Sequence, residues 1–364
     1  MSLKSVPPAA VGATVLAYLV LCSTLRHRRA RRQAKRLNYP DRQSLSRMTN
    51  VEAQAIIQEM AEWEFPTTFT KSLQFALFKT YGVPSISQLL VATRMFSTPE
   101  NASRRYEDTN VLIGEFLSHD PREERTRKAI ARINYLHSPV FVTEPRAFVN
   151  RFEWRELTDL EVCALGTFGR AWRDGIEFVD DITEWALQYA GRHMVPDKAS
   201  NKTAEELIPL LLFYMPRFLT AYLRQSVGVL MGERLRWAMF YPEPSNMAYA
   251  ATYAVLSLRR FILRYFALPR FFPARQFGEK DPQTNRYYHK TYLVHPYYVK
   301  PSFSSRWGPS AWFTWAVGGV LPIGYEIETV GPPKRRGLGK EEMAEFERKI
   351  EAVRPAGCPF MLAK

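Results

Sequence analysis

The sequence contains few cysteines, and their spacing excludes two kinds of structural site. Its three cysteines, Cys22, Cys163 and Cys358, lie far apart and include no Cys-x-x-Cys pair. They therefore predict neither a disulfide framework nor a zinc site, and a reducing compartment is the simpler interpretation. The apolar helical pattern around Cys163 indicates a buried structural thiol rather than a reactive thiolate.

Several catalytic motifs are also missing. The chain has no Glu-x-x-His for a ferritin-like di-iron centre and no His-Glu-x-x-His for zinc hydrolysis. It lacks a Gly-x-Ser-x-Gly elbow, a Walker loop, and a Gly-x-Gly-x-x-Gly motif after a predicted strand. The enzyme classes that depend on these motifs are thereby excluded.

Charge is absent from one N-terminal segment and concentrated in the next. Residues 7–25 contain no charged side chain, whereas residues 26–36, RHRRARRQAKR, hold seven Arg and Lys and no acid. A helix of the first segment's length spans about 28 Å, close to the hydrocarbon core of a bilayer. A cleaved signal peptide would carry its positive charge before the apolar run, and a buried soluble helix would seldom end in so many cations. We therefore expect a single membrane anchor.

The anchor predicts how the chain is organised. We expect residues 1–6 to be a lumenal tip, 7–25 a transmembrane anchor, 26–45 a basic juxtamembrane linker, and 46–364 one folded domain. Positive-inside bias places that domain in the cytosol. Since the basic run accounts for half of the net charge of +14, it is interpreted as a determinant of topology, and no nucleic-acid partner is expected.

Helical periodicity dominates the rest of the chain. Patterns of 3.6 residues run through residues 103–117, 122–137, 157–172, 181–193, 204–231, 246–267 and 338–353. Thr49 and Glu52 indicate a capped helix start, and Gly82 with Pro84 indicates a helix end. Strict alternation is scarce, so the predicted fold class is all-α.

Two kinds of segment need a separate interpretation. The region 268–335 is rich in Pro, aromatic residues and Arg, and predicts irregular packing over a helical core. The apolar segments 207–223 and 248–268 are long enough to suggest further spans, but arginines interrupt both. They are expected to be either buried helices or helices lying on the membrane surface with arginines reaching the headgroups.

One of the six histidines combines a helical position with an apolar face. In RKAIARINYLHSPV, the side chains of Ile130, Ile133, Asn134 and His137 follow the spacing i, i+3, i+4 and i+7. The imidazole of His137 is then either a core side chain bonded to a carbonyl and a water, or the axial ligand of a b-type haem. The pattern leaves both interpretations open.

The preceding helix has a matching polar feature. Arg105, Thr109, Leu112 and Phe116 share one face at i, i+4, i+7 and i+11. A cation and a hydroxyl on an otherwise apolar face suit a haem pocket, where the arginine could pair with a propionate or a distal oxygen species. The alternative is that Arg105 caps a nearby carbonyl and Thr109 is an ordinary helical residue.

Several longer strings show a family resemblance. QFALFKTYGVPSIS, RRYEDTNVLIGEF, RINYLHS, FEWRELTDLEVCALGTF, RWGPSAW and the terminal GCPF closely resemble the MpaB-type family, the fungal endoplasmic-reticulum (ER)-bound oxygenases of mycophenolic acid biosynthesis. The likeness extends from the anchor to the C-terminus. More distantly, the Arg-x-x-x-Thr pair and the following helical His resemble the catalytic domain of bacterial latex-clearing rubber oxygenases, which are all-α proteins holding one b-type haem.

This resemblance implies a site and an activity. It implies that residues 46–364 form a single helical haem-binding domain, that His137 is the proximal ligand to the haem iron, and that Arg105 and Thr109 are catalytic side chains near it. The implied reaction is oxidative cleavage by O2 of a C=C bond in a prenyl or terpenoid chain, at the ER membrane, in fungal secondary metabolism. Two alternatives stay open: a tethered isoprenoid-binding protein without haem, and a haem hydroxylase or dehydrogenation catalyst.

The sequence departs from the family pattern at three places. Asp108 occupies the position of a distal lysine in one rubber oxygenase, so that role is not carried over. Only residues 139–143 bridge a gap where relatives have a further helical segment, and Gly169 replaces a usual Trp, with a shortened stretch after it. Pro139 would also stop the helix carrying His137. These differences would open a haem pocket to water or weaken haem retention.

Overall fold

The described part of the chain is almost entirely helical. The computed structural model describes residues 8–94, 99–120, 122–136, 143–169, 175–213, 215–290, 297–301, 303, 307, 312, 323–331 and 338–352. Within these ranges there is no β-strand, and isolated antiparallel bridges join only Phe277 to His289 and Tyr287 to Tyr325. The predicted all-α fold class is confirmed.

The α-helices are numbered here in chain order over the described residues. They are α1 (Pro8–Arg26), α2 (Arg28–Leu37), α3 (Asn50–Glu59), α4 (Pro66–Thr80), α5 (Pro84–Ala92), α6 (Pro99–Ser118), α7 (Glu124–Leu136), α8 (Thr143–Phe152), α9 (Asp159–Gly169), α10 (Gly175–His193), α11 (Lys198–Leu211), α12 (Thr220–Ala238), α13 (Asn246–Tyr265) and α14 (Lys340–Ala352). A π-helical turn, Met60–Glu64, links α3 to α4.

Local sequence signals fix several of these boundaries. The Thr49 side chain accepts a hydrogen bond from the Glu52 amide while the Glu52 carboxylate accepts one from the Thr49 amide, which is a complete capping box at the start of α3. Pro66 and Pro84 occupy the first turns of α4 and α5, where the missing N–H of proline leaves no intrahelical bond unmade. The predicted helix end before Pro84 is confirmed, since α4 stops at Thr80.

The helical pattern over residues 204–231 is divided in the structure. Helix α11 ends at Leu211, a 3-10 turn covers Arg217–Leu219, and α12 starts at Thr220. Pro216 lies between them with an extended backbone. Proline has no N–H to donate and disfavours helical geometry in the preceding residue, so apolar periodicity on both sides could not keep one continuous helix.

Helix α6 contributes to both apolar cores of the described residues. Its first half places Ala102 and Tyr106 in a core formed largely with α4, α5, α11 and α12. Its second half places Leu112 and Phe116 in a core formed largely with α3, α7 and α9. Cys163 of α9 is fully buried in this second core, as predicted. The buried polar side chains of α6 therefore lie between the two cores.

The N-terminal helices combine an exposed apolar segment with a docked basic one. The stretch Ala9–Leu37, which includes α1, is the one candidate membrane span among the described residues, and Leu16 is 64% exposed on it. The basic residues predicted as a linker form α2. Arg29 pairs with Glu64 at 2.9 Å and the Gln33 amide donates to Glu59 at 2.7 Å, so α2 is attached to the domain.

Candidate functional site

The predicted polar pair lies buried on α6. The Arg105 guanidinium donates through Nη1 to the Thr109 hydroxyl at 2.8 Å, and that hydroxyl lies 3.3 Å from the Arg105 carbonyl oxygen. The exposed fractions are 7% and 1%. The i, i+4 spacing brings the two side chains together, as the sequence predicts. Because a buried cation is costly without polar partners, this pair is not ordinary helix surface and is a candidate site.

Asp108, on the next stripe of α6, forms a second buried polar contact. It is 1% exposed, and the Tyr298 hydroxyl donates to its Oδ1. Burial raises the pKa of Asp108 above its ordinary value, although the Tyr298 hydrogen bond and the charges of Arg105, Arg104 and Arg132 oppose the rise. Burial and the neighbouring Asp108 likewise raise the pKa of Tyr298 well above its usual range.

Arg132 of α7 connects this group to the C-terminal part of the domain. It is fully buried, and its Nε and Nη1 atoms donate to the carbonyl oxygens of Val330 at 2.8 Å and Leu338 at 3.0 Å. These bonds join α7 to two segments almost 200 residues further along the chain. Arg132 therefore fixes the position of the irregular C-terminal region relative to α6 and α7.

A buried ion pair between Glu115 and Arg125 lies two turns further along α6. Glu115 is fully buried and accepts from Arg125 of α7 at 2.9 and 3.0 Å. The Tyr325 hydroxyl also donates to Glu115, and His119 Nδ1 lies 3.4 Å from the carboxylate. Burial acts to lower the pKa of Arg125, but the hydrogen bond and charge of Glu115 outweigh it and the pKa is raised. The Arg125 guanidinium therefore stays charged in this contact.

Two buried acids of α6, Asp108 and Glu115, are matched by two tyrosines that pack together. Asp108 and Glu115 stand at i and i+7, and they receive the hydroxyls of Tyr298 and Tyr325 respectively. The two tyrosine rings meet edge to face, with centroids 5.4 Å apart. Tyr298 and Tyr325, which come from the irregular segments, therefore cover one side of α6 through their ring contact and their two hydrogen bonds.

Among the described residues, the buried and half-buried charges around Asp108 carry an excess of positive charge. Arg104, Arg105 and Arg132 all act on Asp108, and Glu107 is the other buried acid nearby. Three cations therefore face two carboxyl groups, one of which has a raised pKa. The Nε atom of Arg104 is buried without a hydrogen-bond partner. An unused buried donor and surplus positive charge fit a dianionic ligand such as the propionates of a porphyrin.

The proposed haem ligand, His137, lies outside the described residues. Helix α7 is described to Leu136, and the two apolar residues predicted to share the face of His137 are both buried, with Ile130 at 1% and Ile133 at 3% exposure. The role of His137 therefore stays a prediction. Among the described residues, no three His, Cys, Asp or Glu side chains come together as ligands for a bare metal ion.

Sequence reasoning identified part of this group and missed the rest. It found Arg105 and Thr109 because their spacing is a local helical property. It missed the partners Arg132, Tyr298 and Tyr325, whose contacts depend on tertiary packing. A detectable signal existed in the acids of α6, since carboxylates at i and i+7 beside an apolar face require buried partners.

Comparison with known proteins extends these observations. The chain matches no protein-family profile. It is 34% identical, over 95% of its own length and 93% of the relative's, to a Penicillium brevicompactum protein named ER-bound oxygenase mpaB'. A second protein of that organism, ER-bound oxygenase mpaB, is 32% identical over 85% of this chain and 82% of its own length. ER-bound oxygenase mpaB of Penicillium roqueforti is 36% identical over 63% of this chain and 89% of its own length.

The first of these relatives matches nearly the whole chain, over 95% of its length. The alignment to the first of them covers 394 positions, more than the 364 residues of this chain, so that protein has residues without a counterpart here. Identity above 30% over nine-tenths of both proteins shows common descent, and the names of the relatives support an oxygenase role at the ER. This chain belongs to the MpaB-type family of ER-bound oxygenases.

Proposed function

We propose that this protein is an ER-anchored, haem b-dependent oxygenase that cleaves a C=C bond of a prenyl or terpenoid chain with O2. The observation that carries the proposal is the buried Arg105–Thr109 pair on a helix that otherwise packs into the apolar cores. Membership of an oxygenase family supplies the reaction class. The surplus of buried positive charge supports the choice of cofactor.

The residues of the site divide into those that would hold the haem and those that would contact the substrate. His137 would supply the axial imidazole, and Arg104 and Arg105 would neutralise the propionates. A bound haem would supply the activation of O2. The apolar faces of α6 and α7, with Leu112 and Ile133, would exclude water and accommodate a hydrocarbon chain.

The Arg105–Thr109 pair would control polarity at the reacting bond. Arg105 holds the Thr109 side chain through a 2.8 Å hydrogen bond, so the hydroxyl is oriented without a water molecule. A cation and an oriented hydroxyl stabilise negative charge that develops on oxygen. The Tyr298 hydroxyl holds the Asp108 carboxyl group in place beside this pair.

The number of O2-derived oxygen atoms in the products distinguishes cleavage from hydroxylation and from dehydrogenation. Splitting one C=C bond with one O2 molecule gives two carbonyl groups and requires no external reductant. A reaction under ¹⁸O2 should therefore place one labelled oxygen atom in each of two carbonyl fragments. Incorporation of a single labelled hydroxyl, or formation of an unlabelled new alkene, would instead identify a hydroxylase or a dehydrogenation catalyst.

The proposed topology follows from the N-terminal helices. Helix α1 would span the ER membrane once, and the seven basic residues after it would hold the domain in the cytosol. Protease added to intact microsomes should then digest the domain and leave α1 protected. Full protection of the domain would show the opposite orientation.

Haem binding is tested by absorption spectroscopy on the full-length protein. Protein produced with adequate haem supply and purified in detergent should show a Soret band. His137→Ala should lose that band and keep its helical circular dichroism, whereas the matched control His193→Ala, at the end of α10, should keep both. Equal haem content in the two variants would place the ligand elsewhere. Absence of haem in the unmodified protein would favour a tethered isoprenoid-binding protein.

A further inference from the structure

Helix α13 presents its apolar residues to the outside of the domain. Met247, Leu258, Phe261, Ile262 and Tyr265 stand at i, i+11, i+14, i+15 and i+18, which is one face of a helix. Their exposed fractions are 78%, 57%, 51%, 45% and 46%. These five residues are called the α13 face below. A helix at the surface of a soluble domain normally directs its apolar stripe towards the core, so this orientation is the reverse of the expected one.

The opposite side of α13 is less apolar than the exposed one. Ala248 and Thr252 are its buried residues. Arg259 also points inwards, donating to Glu153 at 2.9 Å and to the Phe152 carbonyl at 3.2 Å. Leu263 of the same side packs, partly buried, against the core. The helix therefore contacts the domain through small, polar and a few apolar groups, and leaves the large hydrocarbon side chains of the α13 face in contact with the surroundings. An exposed apolar patch of this kind indicates contact with another apolar phase.

The exposed apolar surface continues beyond the end of the helix. Phe271 and Phe272 are 65% and 82% exposed. Residues 244–278 contain no Asp or Glu and five arginines. On α13, Arg260 and Arg264 flank the α13 face on one side. Apolar residues bordered by arginines, without acids, are typical of a helix lying in the headgroup region of a membrane.

Contacts between α13 and α1 indicate the depth in the membrane at which this surface would lie. The Tyr18 hydroxyl donates to the Phe266 carbonyl at 2.8 Å, the Cys22 thiol lies 3.9 Å from the same oxygen, and Arg26 donates to the Ala267 carbonyl. At the rise of an α-helix, Cys22 is about 6 Å from the last residue of α1. If α1 spans the bilayer, the end of α13 therefore lies at the boundary between headgroups and hydrocarbon.

A cavity at this junction is lined by charged and aromatic side chains. Its volume is about 260 Å³, and its lining includes Arg26, Arg29, Arg270, Trp63 and Trp154, together with the acids Glu64 and Glu153, which pair with Arg29 and Arg259. The Arg26 and Arg29 guanidinium carbons lie 4.8 and 4.7 Å from the ring centroids of Trp154 and Trp63. Tryptophan and arginine side chains are both enriched at the membrane interface.

We propose that the α13 face and the following Phe271–Phe272 pair are embedded in the cytosolic leaflet, so that the domain lies on the membrane and is not merely tethered to it. The occupant of this surface is the lipid bilayer itself, because the surface adjoins α1 and because residues 244–278, which form it, contain five arginines and no Asp or Glu. The inference is independent of haem chemistry and uses the anchoring of α1 from the proposed function.

The test measures the surroundings of single labels on the full-length protein in liposomes of phosphatidylcholine and phosphatidylserine. A Cys358→Ser background is used, because the described cysteines Cys22 and Cys163 are buried, and its labelling blank is recorded first. Spin labels are placed at Leu258→Cys and Phe261→Cys. Collision with O2, which concentrates in lipid, is compared with collision with a water-soluble nickel chelate.

Two further labels serve as references. Leu16→Cys reports on the exposed side of α1, and Glu342→Cys reports on an exposed position of α14, a helix with acids in its first turn. The logarithm of the O2-to-nickel collision ratio should be positive at Leu16, Leu258 and Phe261, with Leu16 the deepest. It should be negative at Glu342.

Each other result overturns a specific statement. A positive value at Leu16 with aqueous values at Leu258 and Phe261 would keep the anchor and reject the embedded face. Low collision with both reagents at Leu258 and Phe261 would show that protein covers the face, either a second copy or another segment of this chain. A negative ratio at Leu16 would reject the anchor. In that case positive ratios at Leu258 and Phe261 would still support the embedded face, and negative ratios there would reject it.

Discussion

Helices α6 and α13 have the same length and opposite arrangements of polar and apolar side chains. Each is 20 residues long. Helix α6 buries Arg105, Asp108 and Glu115 inside the domain, whereas α13 exposes Leu258 and Phe261 at its surface. The difference shows that amphipathic periodicity identifies a helix face but not the phase that this face contacts. In α6 buried partners satisfy the polar groups, and in α13 a lipid phase would satisfy the apolar ones.

The largest expected effect tests the buried ion pair of α6. Glu115→Ala should destabilise the protein by about 3–5 kcal/mol, because the buried Arg125 charge would keep, among the described acids, only its long contact of 3.7 Å with the exposed Glu279. The matched control is Glu205→Ala, which removes a surface pair with Arg224 at 2.7 Å and should cost about 0–1 kcal/mol. Thermal unfolding in detergent measures both. Equal shifts in Tm would mean that the Glu115 pair is solvated.

A leucine pair compares the two helices directly. Leu112→Ala on α6 removes a fully buried side chain and should cost about 2–5 kcal/mol. Leu258→Ala on α13 makes the same chemical change at an exposed position and should change the stability of detergent-solubilised protein by about 0.5 kcal/mol or less. Denaturant unfolding followed by circular dichroism gives both values. A large loss for Leu258→Ala would show that the α13 face packs against protein.

A tyrosine pair extends the comparison to polar contacts. Tyr298→Phe removes the buried hydroxyl that donates to Asp108 and should cost about 1–3 kcal/mol, because the carboxyl group would lose a partner without regaining water. On α13, Tyr249→Phe removes an exposed contact of 2.9 Å with Glu243 and should leave stability nearly unchanged. Comparable losses of Tm in the two variants would contradict the buried position of Asp108.

The smallest expected effect is a pH dependence at Asp108. Its pKa is raised above the ordinary value of 3.8, chiefly by burial, so the folded state binds this proton more tightly than the unfolded state. The stability that this proton contributes is complete below the unfolded pKa and is lost as pH rises through the folded pKa. Asp108→Asn should therefore gain stability relative to the unmodified protein as pH rises from 4 towards 8. Parallel Tm profiles of the two proteins would refute the raised pKa.

Part of the site could be predicted because its geometry is local. Arg105 and Thr109 are four residues apart on one helix, and their hydrogen bond follows from helical geometry once the helix exists. The partners of Asp108 and Glu115 could not be found in this way. Tyr298 and Tyr325 are 190 and 210 residues away in the chain, and they come from irregular segments without a periodic signal.

The sequence by itself determined the helical fold class, the capping of α3 at Thr49, the helix end before Pro84 and the apolar N-terminal segment followed by its basic run. These features depend on interactions between residues only a few positions apart. The tertiary structure alone decided which tyrosines meet the acids of α6 and in which direction α13 turns its apolar residues. Those outcomes depend on which elements pack together, and the packing is set by the free energy of burying surface over the whole chain.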